Sequence, residues 1–557
     1  MSDVELNSHP NLEDQKSNAQ IRLVIIGAGP GGYAAAIRAS QLGASVTLID
    51  REKVGGTCLN WGCIPSKIMR KAADLADAAN ATHARNEAAI FGINSHALHN
   101  SNKLGQAAEI DLAVLRARQT SVISAQASGL ERHFKALGIN LLKGEAKLEK
   151  RGEVSVTLSD APNDLATPGS PTISAAPNAP DSTGSTSCPN SKVTSIPYDH
   201  LLLAIGSAPA SIPGLSFDGE KIISSNQALW MEKLPKSMLV VGGGVIGCEL
   251  AQIFHSFGVK VTLVEALPRL LPLPSLDEEI TKTYARSLKK AKFPFYVGHT
   301  VAGLVSTPNG LIAKVQPFSL GQNLAEECAS GEKKSIELEV EQILVATGRK
   351  SIAASLHPQG LDGLRTLGLG VDAKGWIEAD SNFRTQAGNI WAIGDCLGPT
   401  KVMLAHVATA EGLAAVENML APESQNKSDL KTINYHQVPS AIFTAPEIAS
   451  AGLSLAQAQA EKQESQAHDF LFRQLGKAQA MNETDGLIRL VCAPCGTILG
   501  GQLIGPCATS LIGEISLAVQ QGLKAEDLAN TIHAHPTLPE GIWEAALSAC
   551  GKPLHGS

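Results

Sequence analysis

The chain has 557 residues, 44% of them hydrophobic and 18% charged, with a net charge of −7. That length and balance describe a globular protein with room for three or more domains, and an acidic surface without clustered Lys and Arg argues against a nucleic-acid partner. The apolar run Leu23–Ile37 is broken by glycine and proline and falls short of a membrane span, the segment before it is polar and acidic, and ten scattered cysteines fit a reducing cytoplasm better than secretion.

In chain order, "IRLVIIGAGPGGYAAAIRASQLGASVTLID" predicts a buried strand, a tight glycine turn, an alanine-rich helix and a second strand ending at Asp50. Gly27, Gly29 and Gly32 stand in the G-x-G-x-x-G spacing: the first for the turn, the second for close approach of a pyrophosphate, the third for helix-to-strand packing. Asp50 sits where a carboxylate would accept hydrogen bonds from a ribose. Just downstream, "GGTCLNWGCIPSK" sets Cys58 and Cys63 five residues apart. On a regular helix that separation exceeds the ~7 Å Cα approach a disulfide needs, so the pair requires a break, for which Gly62 and Pro65 are suited. A reversible dithiol there could exchange with a substrate thiol on one side and pass two electrons to a cofactor on the other.

The tract 161–192 is rich in Pro, Ser, Thr and Ala, too poor in large apolar residues to bury itself, and reads as a surface insertion carrying Cys188. "LLLAIGSAP" (Leu201–Pro209) and "ILVATGRK" (Ile343–Lys350) each read as a strand followed by a glycine turn, suited to chain crossings between domains. Between them "SMLVVGGGVIGCELAQIFHSFGVKVTLVE" repeats the first unit, with Gly242, Gly244 and Gly247 in the same spacing and Glu265 as far beyond its first glycine as Asp50 is beyond Gly27. Two such units imply two dinucleotides, and a carboxylate at Glu265 would repel a 2′-phosphate, favouring NAD over NADP. The polar stretch from Ser319 reads as an enlarged hairpin loop, and "NIWAIGDCLG" offers Asp395 just beyond a strand, where a polyol chain could be held. From about Lys431 the glycine fingerprints stop, and strand-like then helical runs predict an α+β domain. Within it "HAHPTLPE" places His535 five residues before Glu540, an arrangement by which a carboxylate orients a general base. "CAPC", Cys492 and Cys495, falls on a predicted hairpin and is read as structural; no metal site is expected.

These segments, together with "VGGGVIGCEL", "MLAHVATAEG" and "VPSAIFTAPEIASAG", resemble the FAD-dependent pyridine nucleotide-disulfide oxidoreductases from about Ile21 to Pro553, and within them the enzymes that oxidise dihydrolipoamide as E3 components of 2-oxo acid dehydrogenase complexes. The resemblance implies an α/β architecture of two Rossmann-like dinucleotide-binding domains plus a C-terminal α+β dimerisation domain. The expected organisation is a tail (1–20), an FAD-binding domain in two parts (21–211 and 349–430), an NAD-binding domain (212–348) and the dimerisation domain (431–557). It implies FAD on Gly27, Gly29, Gly32, Asp50, Lys67, Gly206, Asp395 and Ala405, and NAD on Gly242, Gly244, Gly247, Glu249, Glu265 and Gly348. Cys58 would be the interchange thiol and Cys63 the thiol facing the flavin, with Lys67 and Glu249 paired beside it. His535, oriented by Glu540, would act on the cysteine pair of the partner subunit, making an obligate homodimer whose thiol substrate is carried by a lipoyl-bearing E2. The chain departs from the pattern at Pro539, where serine is usual, and after "ATGRK", which lacks the usual proline and asparagine. A glutathione reductase would be expected to carry arginines rather than an acid like Glu265, a mercuric reductase a vicinal cysteine pair near the C-terminus, and a non-catalytic flavin-binding sensor would not need Cys58, Cys63, His535 and Glu540 together.

Overall fold

The computed structural model describes residues 20–79, 110–159, 192–308, 310–318, 335–422 and 424–555. The expectations for the N-terminal tail, the Pro/Ser tract and the polar stretch from Ser319 lie outside the described residues.

The first unit is a parallel sheet in the order Ile390–Ala392, His200–Leu203, Arg22–Ile26, Ser45–Asp50, Asn140–Lys150, extended antiparallel by Glu153–Leu158 and Val193–Pro197. Its central strand is buried from Leu23 to Ile26, as a strand covered on both faces must be, which is why the sequence there is continuously apolar. Helix Pro30–Gln41 lays Ala34, Ala35, Ala36 and Ala39 on the sheet. Helix Ala405–Met419 then crosses it at close range: a Cβ on Gly31 would stand 2.9 Å from the Ala408 carbonyl oxygen, and one on Gly412 2.5 Å from that of Gly31.

The second unit repeats the plan with five parallel strands in the order Phe295–Val297, Lys260–Glu265, Ser237–Val241, Gln342–Val345, Ile222–Ile223, followed by an antiparallel meander of His299–Thr307, Gly310–Pro317 and Ile336–Val340. An antiparallel ribbon, Ser207–Pro209 with Arg349–Ser351, joins the two units where the chain leaves and re-enters the first.

The C-terminal domain is an antiparallel sheet in the order Ser440–Ile442, Glu447–Gly452, Ile498–Gly505, Leu487–Cys492, Gln466–Leu471. Alternation of side chains sends Ile448, Leu487 and Ile504 into the core of the second unit, while Ala449, Ile488 and Leu503 face the other way, under helices Ala508–Gln521 and Glu540–Ala549. Both faces are therefore buried, and the strands read as apolar runs. Asp277 fastens this domain to the second unit: its carboxylate accepts from the N–H groups of Leu455 and Ala456, from Gln502 and from Arg489.

Candidate active site

The two glycine turns are near superimposable in their physics. Gly27 and Gly242 take φ of +105° and +108°, and a Cβ on either would strike a carbonyl oxygen of the neighbouring strand's loop, that of Ala204 at 2.3 Å or Ala346 at 2.4 Å. A Cβ on Gly32 or Gly247 would lie 1.8 Å from the carbonyl oxygen of the first glycine, so the helix seats against the strand only without a side chain. By contrast Gly244 has open space beside it, and Gly29 only the Gly56 Cα at 3.8 Å. Helices Pro30–Gln41 and Val245–Ser256 start with no side-chain cap, leaving first-turn N–H groups for an anion. A pyrophosphate fits both cradles. The acid ending each second strand reaches back to its turn: Asp50 accepts from the N–H of Ala28 (2.6 Å) and Glu52 (2.8 Å), and Glu265 from Gly243 (2.5 Å) and Leu267 (2.7 Å). Each carboxylate is thereby fixed at the tip of its strand with lone pairs to spare. Burial pushes the Asp50 carboxyl up, against the pull of those two N–H groups.

Gly55 hydrogen-bonds the Ala28 carbonyl and Gly56 packs on Gly29, so the cysteine segment starts at the first glycine turn. The expected break is present: a short helix, Gly56–Trp61, ends at Gly62 (φ −154°, ψ −103°) and a second, Cys63–Ala79, begins at once. Cys58 and Cys63 are free thiols that face each other across the break, the Cys58 thiol donating to Cys63 Sγ. The two differ in acidity. That hydrogen bond, helped by the charge of Lys67 and opposed by burial and by Glu249, holds Cys63 down at about 7, whereas the same hydrogen bond and then burial raise Cys58 well above an ordinary thiol. Cys63 is the group that carries charge; Cys58 remains the protonated partner.

Lys67 lies one helical turn beyond Cys63, and its Nζ stands 2.9 Å from Glu249 Oε2 and 4.2 Å from the centre of the Phe443 ring. The other Glu249 oxygen accepts from the Phe443 N–H at 2.8 Å. Glu249 is buried, so this pair ties the cysteine helix, the second unit and the C-terminal domain together at one point. On the other side of the cysteine helices, Trp230 donates from Nε1 to the Asn60 carbonyl and meets Trp61 edge-on.

Asp395 is presented by a single 3-10 turn, Gly394–Leu397, at the end of strand Ile390–Ala392. Its Oδ2 accepts from Ser207 Oγ at 2.6 Å and lies 3.3 Å from Arg349 Nε. Arg349 also donates to Ser207 Oγ (2.5 Å) and to the Ser207 carbonyl (2.8 Å), stapling the ribbon on which Gly206 and Gly348 supply positive φ with open space beside them. Burial works against the Arg349 charge, while Asp395 and then Cys63 support it. Ala405 opens helix Ala405–Met419, whose N-terminus again lacks a side-chain cap. Two further residues were given no role in the sequence reading: Glu411 accepts from the Gly394 N–H and from the Tyr435 hydroxyl, both at 2.6 Å.

His535 bonds through Nδ1 to Glu540 Oε1 at 2.8 Å, and the second carboxylate oxygen accepts from the Thr537 N–H. Burial would raise the Glu540 carboxyl, but the Thr537 N–H and His535 outweigh it and leave it below its ordinary value. The imidazole is 78% exposed, so Nε2 is left for a partner outside its own domain. Pro539 stands immediately ahead of helix Glu540–Ala549 with φ −56°, a position where proline costs nothing. Ile532, nearby, is 97% exposed.

The structure thus brings Cys58, Cys63, Lys67 and Glu249 together beside the first glycine turn, sets Asp395 on the adjoining ribbon, and keeps the His535–Glu540 pair on the C-terminal domain. Sequence reasoning missed Ser207, Arg349, Glu411, Tyr435 and Phe443. Arg349 was visible only as the last letters of a turn; Ser207, Glu411 and Phe443 lay without an assigned role inside the segments "LLLAIGSAP", "MLAHVATAEG" and "VPSAIFTAPEIASAG", and Tyr435 carried no local signal. Among the described residues no cluster of His, Cys, Asp and Glu could hold a metal ion, and no helix is long and apolar enough to cross a membrane.

The family model described as pyridine nucleotide-disulphide oxidoreductase matches residues 21–412, and that of the family's dimerisation domain matches residues 438–546. Similar curated proteins include the dihydrolipoyl dehydrogenase of Halobacterium salinarum, 33% identical over 535 residues (96% of this chain and 97% of the relative), and that of Chlamydia pneumoniae, 34% identical over 533 residues with the same coverages. Among solved structures, LpdA from Mycobacterium tuberculosis has the same fold, with a TM-score of 0.75 at 24% identity over 95% of this chain and 99% of that one. The HOCl-induced flavoprotein disulfide reductase RclA from Escherichia coli shares it at a TM-score of 0.69 and 21% identity, covering 95% of this chain and 99% of that one. The chain therefore belongs to the pyridine nucleotide-disulphide oxidoreductase family, as an NAD-dependent flavoprotein oxidoreductase that uses FAD and NAD(H).

Proposed function

We propose that this protein oxidises dihydrolipoyl groups to lipoyl groups with NAD+, as the E3 component of a 2-oxo acid dehydrogenase complex, and that it works as a homodimer. The observation that carries the reading is the asymmetric dithiol: a Cys63 thiol held near 7 beside Lys67, with Cys58 as its protonated donor. In the oxidised enzyme Cys58 and Cys63 form a disulfide. His535 of the partner subunit takes the proton from one substrate thiol, whose sulfur attacks Cys58 Sγ and releases the Cys63 thiolate. The second substrate thiol, losing its proton to solvent, then attacks the sulfur bound to Cys58. The cyclic lipoyl disulfide leaves, Cys58 recovers its proton from His535, and two electrons remain on the pair. Lys67 stabilises the thiolate through this exchange, the hydrogen bond from Cys58 adds to it once Cys58 is a thiol again, and Glu540 keeps the imidazole oriented. FAD, when bound, supplies the hydride chemistry that links this dithiol to NAD+. In this reading Gly27, Gly29, Gly32 and Asp50 hold its adenosine diphosphate portion, Asp395, Gly206 and the helix at Ala405 hold its ribityl and ring portion, and Gly242, Gly244, Gly247, Glu265 and Gly348 hold NAD.

Steady-state reduction of NAD+ by dihydrolipoamide tests the reading, with NADP+ and with oxidised glutathione plus NADPH in parallel. Turnover with NAD+ that vanishes in Cys58→Ser supports it; turnover confined to glutathione and NADPH would overturn both the substrate and the role given to Glu265.

A further inference from the structure

Glu411 takes no part in the thiol chemistry, yet it is a carboxylate only 1% exposed in the middle of helix Ala405–Met419. A buried carboxylate is costly unless its oxygens are satisfied, so its partners indicate its purpose. One oxygen takes the Gly394 N–H at 2.6 Å and the other takes the Tyr435 hydroxyl at 2.6 Å. Gly394 stands at φ +72°, and a Cβ there would lie 3.2 Å from the Ala408 methyl. It is the hinge of the turn that carries Asp395. Tyr435 belongs to the segment leading into the C-terminal domain, and Lys401 Nζ lies 4.9 Å from the centre of its ring. The far side of the same turn is held by Ser207 and Arg349 on Asp395.

We propose that Glu411 is a positioning residue: by fixing the Gly394 N–H it aims the Asp395 carboxylate at the ribityl chain of FAD, and Tyr435 locks it in place from the side of the C-terminal domain. The inference rests on the reading of Asp395 as the ribityl-holding residue, and a double-mutant cycle separates the two. The rate at which flavin leaves the holoenzyme is followed by the rise of its fluorescence in the wild type, Asp395→Asn, Glu411→Gln, Tyr435→Phe and the Asp395→Asn/Glu411→Gln double variant. Glutamine keeps one acceptor oxygen but sets an NH2 group against one of the two donors, so release about tenfold faster is predicted in Glu411→Gln, and a smaller increase in Tyr435→Phe. Because Glu411 acts through Asp395, the double variant releases flavin no faster than Asp395→Asn alone, an outcome that a general loosening of the fold would not give. Unchanged release in Asp395→Asn sinks the ribityl reading and the inference with it. Faster release in Asp395→Asn with none in Glu411→Gln, or effects that multiply in the double variant, sinks the inference alone. Should Glu411→Gln fail to yield holoprotein, Tyr435→Phe, which removes one hydroxyl, takes its place in the cycle: no added release on top of Asp395→Asn supports the inference, and multiplying effects overturn it.

Discussion

Replacing Lys67 by methionine should raise the pKa of the Cys63 thiol by about one unit, and replacing Glu249 by glutamine should lower it. Lys67 is one turn from Cys63 on the same helix, a side-chain separation of roughly 6 Å. At an effective dielectric of about 20 a unit charge at that distance is worth ~3 kcal/mol, or about two pKa units. The lysine is 32% exposed, and solvent screening reduces this to about one unit. From about 7 the Cys63 thiol would therefore move toward 8, taking its thiolate fraction at pH 7.5 from about three quarters to about one quarter. Glu249 is 7% exposed and opposes the thiolate, so its neutralisation acts in the other direction, while glutamine can still accept the Phe443 N–H. The assay is a pH titration of the long-wavelength thiolate-to-flavin absorbance in two-electron-reduced enzyme, with Lys67→Arg as the charge-conserving control. The electrostatic account is refuted if Lys67→Met leaves the midpoint in place, or if the two variants shift it in the same direction.

Gly247→Ala forces a methyl into a space where the Gly242 carbonyl oxygen is 1.8 Å away, so NADH should no longer reduce the flavin efficiently while bound FAD is retained; stopped-flow reduction separates this from simple unfolding. His535→Ala should slow dihydrolipoamide oxidation by roughly a hundredfold or more while leaving NADH-driven flavin reduction intact, as expected for a general base confined to the thiol half-reaction. Ile532→Asp places a charge on a side chain that is 97% exposed in one chain and is expected to be covered in the dimer. Sedimentation should shift toward the monomer with loss of thiol activity, and an unchanged sedimentation profile with full turnover would show that this surface is not at the interface.

Some of this protein was determined locally and could be read from the chain. Gly32 and Gly247 each answer a clash with a carbonyl oxygen five residues earlier, so spacing alone announced both turns, whereas the clashes at Gly27 and Gly242 come from Ala204 and Ala346 in distant parts of the chain. The Cys58–Cys63 break likewise needs only Gly62 between the thiols. The His535–Glu540 pair spans five residues and needs only a helix start at Glu540. What contiguity could not supply, the tertiary fold decided. Asp395 and Ser207 meet from 188 positions apart, and Lys67 and Glu249 from 182, because parallel strands and their crossover helices return distant segments to one edge. Arg349 became part of the site only when the ribbon folded over Asp395, and Glu411, unremarkable in "AEGLAAVENM", became a buried strut only when its helix crossed over Gly31. The sequence by itself determined which chemistry the chain can carry, since reactive groups and glycine turns act through their immediate neighbours. The tertiary structure alone decided which charges face that chemistry, since electrostatic strength depends on distance and burial, and neither is a property of sequence separation.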